Sequence, residues 1–294
     1  MRLVTFQLCD PPWSAPHQVP SLNRTGVVSA TGVVDLTDPI LNLPSEMPAL
    51  LALGPAVFEQ IAVAHKTVAR RYDLDTIRLR APISLPPKVL VIGLNHRSHV
   101  RQRGIDPPDH QYWLNKQHTS VIGTGDAIVI PAQSEKLNYE GELALVVGRY
   151  ARTVPAATWR DVIAGFTIVN DASVRLDYSP TFGICKSFDT FCPMGPWLIT
   201  KDEIADVESL RIRTWVNDEL RQDGTTADLI FSPGQMIEYL TSVFTLEPGD
   251  VLATGTPAGT GADMNPPRWL TAGDVVRIEI EHVGTLENPV EARR

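Results

Sequence analysis

The sequence predicts an α+β protein dominated by strands: a mixed β-roll, barrel-like body behind a small α+β N-terminal domain. Three observations carry this. Short apolar runs recur after Lys88, closed by Gly, Pro or Asn: VLVIGLN, AIVIPA, ELALVVGRY, AGFTIVND, GPWLIT, LRIRTWVND, DVLATGT and DVVRIEIEHVGTL. Few helical stretches separate them, chiefly Thr158–Ala164 and Pro233–Ser242, so the βαβ alternation of a doubly wound sheet is missing. Finally, Ala81-Pro-Ile-Ser-Leu-Pro-Pro87 forms a stiff connector between two differently patterned stretches.

The first domain takes residues 1–80. There MRLVTFQL alternates as a strand, TGVVSATGVVDLTD reads as a short hairpin, and residues 45–73 have helical patterning. The second domain takes residues 81–294, and no internal repeat interrupts it.

Composition narrows the function classes. A chain of 294 residues with 43% hydrophobic and 20% charged residues is a folded soluble protein. Its 26 basic and 34 acidic residues give a net charge of -8, which argues against nucleic-acid partners and against a basic membrane-surface protein. Apolar runs stop short of the ~18 residues a spanning helix needs. The N-terminus has no apolar stretch of signal-peptide length. Cys9, Cys185 and Cys192 are odd in number and lack zinc spacing. A reduced, cytoplasmic protein is expected.

Acids on apolar strands are the first chemical signal. In Leu137-Asn-Tyr-Glu-Gly-Glu-Leu-Ala-Leu-Val-Val-Gly148, Glu140 and Glu142 stand two apart and share one face of a strand. Burial beside LALVV would set two like charges against each other unless a hard cation, Mg²⁺ or Mn²⁺, lies between them. A solvated edge strand shows the same spacing. Asp171 closes a second apolar strand, Gly165-Phe-Thr-Ile-Val-Asn-Asp171, and would complete a three-carboxylate site; Asn-Asp is also ordinary turn chemistry.

Other polar residues offer weaker signals. In Asn95-His-Arg-Ser-His99, a helical turn would align His96, His99 and Gln102, with His99 as general base and Gln102 orienting its ring. A polar loop rich in Arg97, Arg101 and Arg103 reads equally well. Lys186, between apolar neighbours, is an anion ligand or a snorkelling surface residue. Thr254-Gly-Thr-Pro-Ala-Gly-Thr-Gly261 lacks the lysine of a phosphate loop and reads as a glycine turn presenting Thr256 to a ligand.

Taken together, GLNHRSH, NYEGELALVVG, GFTIVNDASVR, KSFDTFCPMGPWLIT, LEPGDVLATGTPAGTG and GDVVRIEIEHVGTLENPV resemble the fumarylacetoacetate hydrolase superfamily over residues 88–292. The resemblance implies a homodimeric enzyme holding Mg²⁺ or Mn²⁺ on Glu140, Glu142 and Asp171. It implies that Lys186 stabilises negative charge on substrate, that Lys116 is a second pocket lysine, and that Thr256 binds a substrate carboxylate. Substrates are 2-oxo acids with a further carbonyl, such as acylpyruvates, or enolisable diacids. Hydrolytic members activate water with a His–Glu pair spaced three apart.

This chain departs from that pattern. His99 matches the histidine, but Gln102 stands at the glutamate position and cannot supply its charge. Asp106 and Asp109 are candidates for a substitute acid. Arg175-Leu-Asp-Tyr178 replaces the usual Arg-Asp-x-Gln, so Arg175 and Tyr178 are expected to line an altered substrate pocket. Three functions follow: a C–C hydrolase of 2,4-dioxo acids, a decarboxylase or keto–enol isomerase of 2-oxo diacids that needs no activated hydroxide, or a repurposed member without hydrolytic activity.

Overall fold

A computed structural model describes residues 1–8, 22–67, 70–178 and 181–293; Cys9 lies outside them. In chain order the strands and helices are β1 (Arg2–Leu8), β2 (Arg24–Ser29), β3 (Gly32–Asp35), α1 (Met47–Leu51), α2 (Ala56–Thr67), β4 (Arg71–Tyr72), β5 (Ile77–Arg80), β6 (Val89–Gly93), α3 (Arg97–Gln102), β7 (Tyr112–Lys116), β8 (Val121–Ile122) and β9 (Ile128–Ile130). There follow β10 (Leu137–Asn138), β11 (Gly141–Val147), β12 (Ile163–Asn170), β13 (Ser173–Val174), α4 (Phe182–Cys185), β14 (Cys192–Thr200), β15 (Arg211–Val216) and β16 (Glu219–Thr225). The chain closes with α5 (Pro233–Val243), β17 (Val251–Ala253), β18 (Val275–Ile280) and β19 (Gly284–Ala292).

The fold is mostly β, as the sequence predicts, and it is built on two main sheets. The larger runs β4-β3-β2-β1-β14-β12-β11-β17-β6-β7, with β5 added on β1 and β8 on β14. The smaller runs β16-β15-β18-β19-β9. The path of the large sheet ends at β4 and β7, so the barrel-like expectation resolves into a roll that does not close. Pairing is mixed: β17 lies parallel to β6, and β11 lies antiparallel to both β12 and β17. Among the described residues no helix is long and apolar enough to cross a membrane.

Strand β1 of the leading segment pairs with β14 of the body, Leu3 opposite Leu198. One sheet therefore crosses the composition change near residue 80. Central β11 is buried along its whole length, which suits the unbroken apolar run Leu143–Val147. Strand β18 alternates, because one face packs and the other meets solvent.

Three local readings change. The helical stretch in 45–73 is two helices, separated at Gly54-Pro55, where Gly54 has a φ of 80°. The helix expected over 158–164 is a 3₁₀ turn, Ala156–Asp161, because the chain from Ile163 onward is drawn into β12 against β11. Strand β16 (ELRQDGT) carries no apolar alternation and forms because β15 fixes its register, Arg211 opposite Thr225. Helix α5 matches its reading, with Ser232 and Gln235 forming a reciprocal cap.

Gly141, between the two glutamates, faces the small sheet. A Cβ there would press on Thr214 Oγ1, with Ile278 next at 3.1 Å. Gly141→Ala should therefore lower stability by about 1–3 kcal/mol, read from urea denaturation.

Candidate active site

Pairing of β11 with β12 sets Gly141 opposite Asn170, which brings the start of one strand to the end of the other. The Asp171 N–H then donates to Glu140 O at 2.8 Å. Glu140, Glu142 and Asp171 are all buried, and each offers a carboxylate oxygen within 4.8 Å of the others. Each acid has its own partners. Glu140 accepts Asn138 Nδ2 at 3.1 Å and Lys186 Nζ at 2.8 Å. Asp171 accepts Lys116 Nζ at 2.6 Å and a second bond from Lys186. Glu142 accepts only the Gly255 N–H, at 2.7 Å, among the described residues.

The charges do not balance. Three carboxylates face two ammonium groups, leaving one negative charge in a buried space. Burial, then Asp171 and Glu140, push the Glu142 carboxyl well above its usual range. Burial acts the same way on Asp171, but Lys116 and Lys186 outweigh it and hold that carboxyl low. Burial opposes a charged Lys186, yet Asp171 and Glu140 keep it protonated. A hard divalent cation fits this oxygen set and turns the balance to one positive charge, which suits an anionic substrate.

The glycine turn at 254–263 is the second half of the site. Gly255 and Gly259 have φ of 99° and 101°, and a Cβ on Gly259 would collide with the Arg221 carbonyl. This turn is tied to the acidic strand: Tyr139 OH donates to Gly259 O at 2.8 Å, and the Ala262 N–H donates to Asn138 Oδ1 at 2.9 Å. It is tied equally to α3, where the Ala258 N–H donates to Ser98 Oγ at 3.2 Å.

The structure corrects the pairing of His99. Gln102 does not hold its ring: Gln102 Nε2 donates to Asp263 O at 3.1 Å, and its Oε1 accepts the Gly259 N–H at 2.8 Å. His99 Nε2 instead meets Asp263 Oδ2 at 2.8 Å. Helix α3 is six residues long and lies along the turn, so Gln102 reaches backbone while His99 reaches the Asp263 side chain. Burial raises the Asp263 carboxyl, but His99, Thr260 and Arg103 together outweigh it and hold the group below its usual range. A carboxylate only accepts, so Nε2 carries the proton and Nδ1 is left as the basic nitrogen. Asp106 and Asp109 are exposed and do not replace the missing glutamate. Asp263, 164 residues from His99, carries the charge instead.

Other expected residues separate. The Thr256 hydroxyl donates to Gly141 O at 3.0 Å and accepts Gln222 Nε2 at 2.7 Å, which ties the glycine turn to β11 and β16. The Lys116 side chain is fully buried on Asp171 and Ala172 O, where it fixes the acid in place. Arg175 Nη1 donates to Ser173 Oγ at 3.1 Å, and Tyr178 is 61% exposed; neither bonds to the carboxylates among the described residues. Burial drives the Cys192 thiol up to about 12, so it is no nucleophile. Asn138, Gln222 and Asp263 serve the site without a sequence signal that singles them out, and Asn170, legible only as turn chemistry, accepts the Glu140 N–H at 3.0 Å. The spacing Thr260-Gly-Ala-Asp263 is the one local signal for Asp263, since Thr260 Oγ1 donates to Asp263 Oδ2 at 2.9 Å.

Two expectations follow. Gln102→Glu loses the donor to Asp263 O and sets a carboxylate beside another, so urea denaturation should show a loss of about 1 kcal/mol. His96 is fully buried against Ser98 and Asp228, and burial lowers its pKa from 6.5 to about 4, against the pull of Asp228. Unfolding exposes it to protonation, so its contribution is complete above pH 6.5 and is lost as pH falls toward 4. Between pH 7 and 5 that amounts to roughly 2 kcal/mol, which His96→Asn should remove from the pH dependence of the urea midpoint.

Comparison with known proteins agrees with this geometry. Residues 88–291 match the fumarylacetoacetate (FAA) hydrolase C-terminal family model. The chain is 36% identical to the mitochondrial oxaloacetate tautomerase fahd2 of Xenopus laevis, over 99% of this chain and 90% of that protein. It is 41% identical to the oxaloacetate tautomerase YisK of Bacillus subtilis (strain 168), over 74% of this chain and 75% of the relative. The solved maleylpyruvate hydrolase of Sphingobium sp. SYK-6, in complex with manganese (II) ion and pyruvate, superposes with a TM-score of 0.83 at 30% identity, covering all of both chains. The chain belongs to the fumarylacetoacetate hydrolase superfamily.

Proposed function

We propose that this protein is a divalent-metal-dependent keto–enol tautomerase of 2-oxo diacids of the oxaloacetate kind. The observation that carries the reading is the His99–Asp263 pair, held by one glycine turn beside a buried three-acid, two-lysine cluster. Tautomerisation needs one proton moved between carbon and oxygen and a positive field for the enolate. It needs no attack on a carbonyl. Full-length similarity to oxaloacetate tautomerases supports the same choice.

Glu140, Glu142 and Asp171 would hold Mg²⁺ or Mn²⁺, which when bound supplies Lewis-acid polarisation of the 2-oxo group. Lys186, kept protonated by its two acids, adds positive charge where the enolate oxygen forms. His99 Nδ1 takes the proton from C3 as the C–H pair becomes the C2=C3 bond and the carbonyl pair moves to oxygen. The same nitrogen returns that proton to the enolate oxygen, so the reaction is a balanced isomerisation. Asp263 stabilises the imidazolium in between.

One observation favours a second reading. Asp263 gives His99 the carboxylate that Gln102 lacks, which also suits water activation for C–C hydrolysis of acylpyruvates. Product analysis separates the two. With Mg²⁺ or Mn²⁺, the enol of oxaloacetate should ketonise faster than buffer allows, while acetylpyruvate persists by NMR. EDTA should abolish the rate and added metal restore it. His99→Asn and Asp263→Asn should each cost about 100-fold or more in turnover, with Mn²⁺ affinity unchanged by electron paramagnetic resonance. Pyruvate and acetate from acetylpyruvate, with no effect on enol decay, would establish the hydrolase instead.

A further inference from the structure

Three arginines lie on or beside α3, and each has a different environment. Arg97 Nη1 donates to Leu229 O at 2.6 Å and is committed to the scaffold. Arg101 is 74% exposed and stands 3.7 Å from Asp228, a carboxylate that already accepts the Ser98 N–H. Arg103 Nε lies 3.6 Å from Asp263 Oδ1, on the acid whose other oxygen receives His99 and Thr260. That distance is charge pairing and too long for a hydrogen bond. The Arg103 N–H donates to His99 O at 3.1 Å, but its guanidinium has no hydrogen-bonded partner among the described residues, and the side chain is 44% exposed.

We propose that Arg103 is the specificity-determining residue that binds the distal carboxylate of the substrate and so selects 2-oxo diacids over 2-oxo monoacids. This rests on the tautomerase reading and sharpens its substrate class. The position follows from the chemistry. In a four-carbon 2-oxo diacid, C3 lies directly between the 2-oxo carbon and the distal carboxylate. Arg103 follows α3, the helix that carries His99, and its guanidinium is held only by a long pairing to Asp263, so it is the cation beside the histidine that can turn to that carboxylate.

Charge points the same way. With a divalent cation the buried cluster holds one net positive charge, whereas the diacid substrate brings two negative ones. Arg103 supplies a second cation for the distal end while Asp263 stays with His99, and its fork suits a carboxylate bidentately. Releasing Arg103 from Asp263 costs little, because the pair is long and half-exposed. His99 and Thr260 keep Asp263 in place when Arg103 turns away.

The test uses two ligands that differ only in the distal group. Calorimetric titration of the Mg²⁺-loaded protein with oxaloacetate and with pyruvate reads binding without requiring turnover. Arg103→Gln should weaken oxaloacetate by about 10- to 100-fold and leave pyruvate within about twofold. Arg103→Lys should recover part of the loss. In the enol assay the same variant should raise KM by a similar factor while kcat falls only a few-fold. Equal weakening of both ligands, no weakening of either, or a fall confined to kcat would each overturn the assignment. Wild-type protein that binds oxaloacetate through Arg103 but does not speed enol decay would instead refute the tautomerase reading alone.

Discussion

Burying three carboxylates within one small volume is the constraint on which the rest of the structure depends. Isolated, such a group is untenable in a protein interior, because each ionised acid raises the cost of the next. The fold meets this with cations and donors brought from distant parts of the chain. Lys116 comes from the end of β7, Lys186 from just after α4, and the Gly255 N–H from the glycine turn. Their sum still falls one charge short, and that deficit makes the cluster a place for a hard cation.

The glycine turn turns this electrostatic arrangement into a reactive site. Residues 254–263 bond to the acidic strand through Glu142, Asn138 and Tyr139, and to α3 through Ser98 and Gln102. The positions of His99 and the carboxylates are therefore coupled by a short run of hydrogen bonds. Gly259 is required there because its backbone is left-handed and packed on the Arg221 carbonyl. Thr256 ties the turn to β11 and Gln222.

The leading segment also belongs to this framework. Strand β1 continues the large sheet through β14 to β12 and β11, two pairings beyond the contact it makes itself. Apolar residues from both sides of residue 80, such as Leu3, Leu50, Val91 and Val146, share one buried cluster. Support for the acidic strands thus reaches back to the first residues of the chain.

What the sequence determined by itself lies in short-range pattern. The apolar runs, the punctuating glycines and the cap at Ser232 are local signals, and they specify most strands and helix α5. Acids at the ends of apolar strands mark Glu140, Glu142 and Asp171 as candidates, but their spacing suits a solvated edge strand and a turn equally well, and it is the family resemblance that joins them into one set. The tertiary structure alone decided the partners. Asp263 lies 164 residues from His99, and no spacing rule connects them until α3 and the glycine turn pack together. Likewise, Arg97, Arg101 and Arg103 look equivalent along the chain and differ only in what stands opposite each. Hydrogen bonds act over about 3 Å, so a residue's chemical role is settled by its neighbours in space, which local propensity does not encode.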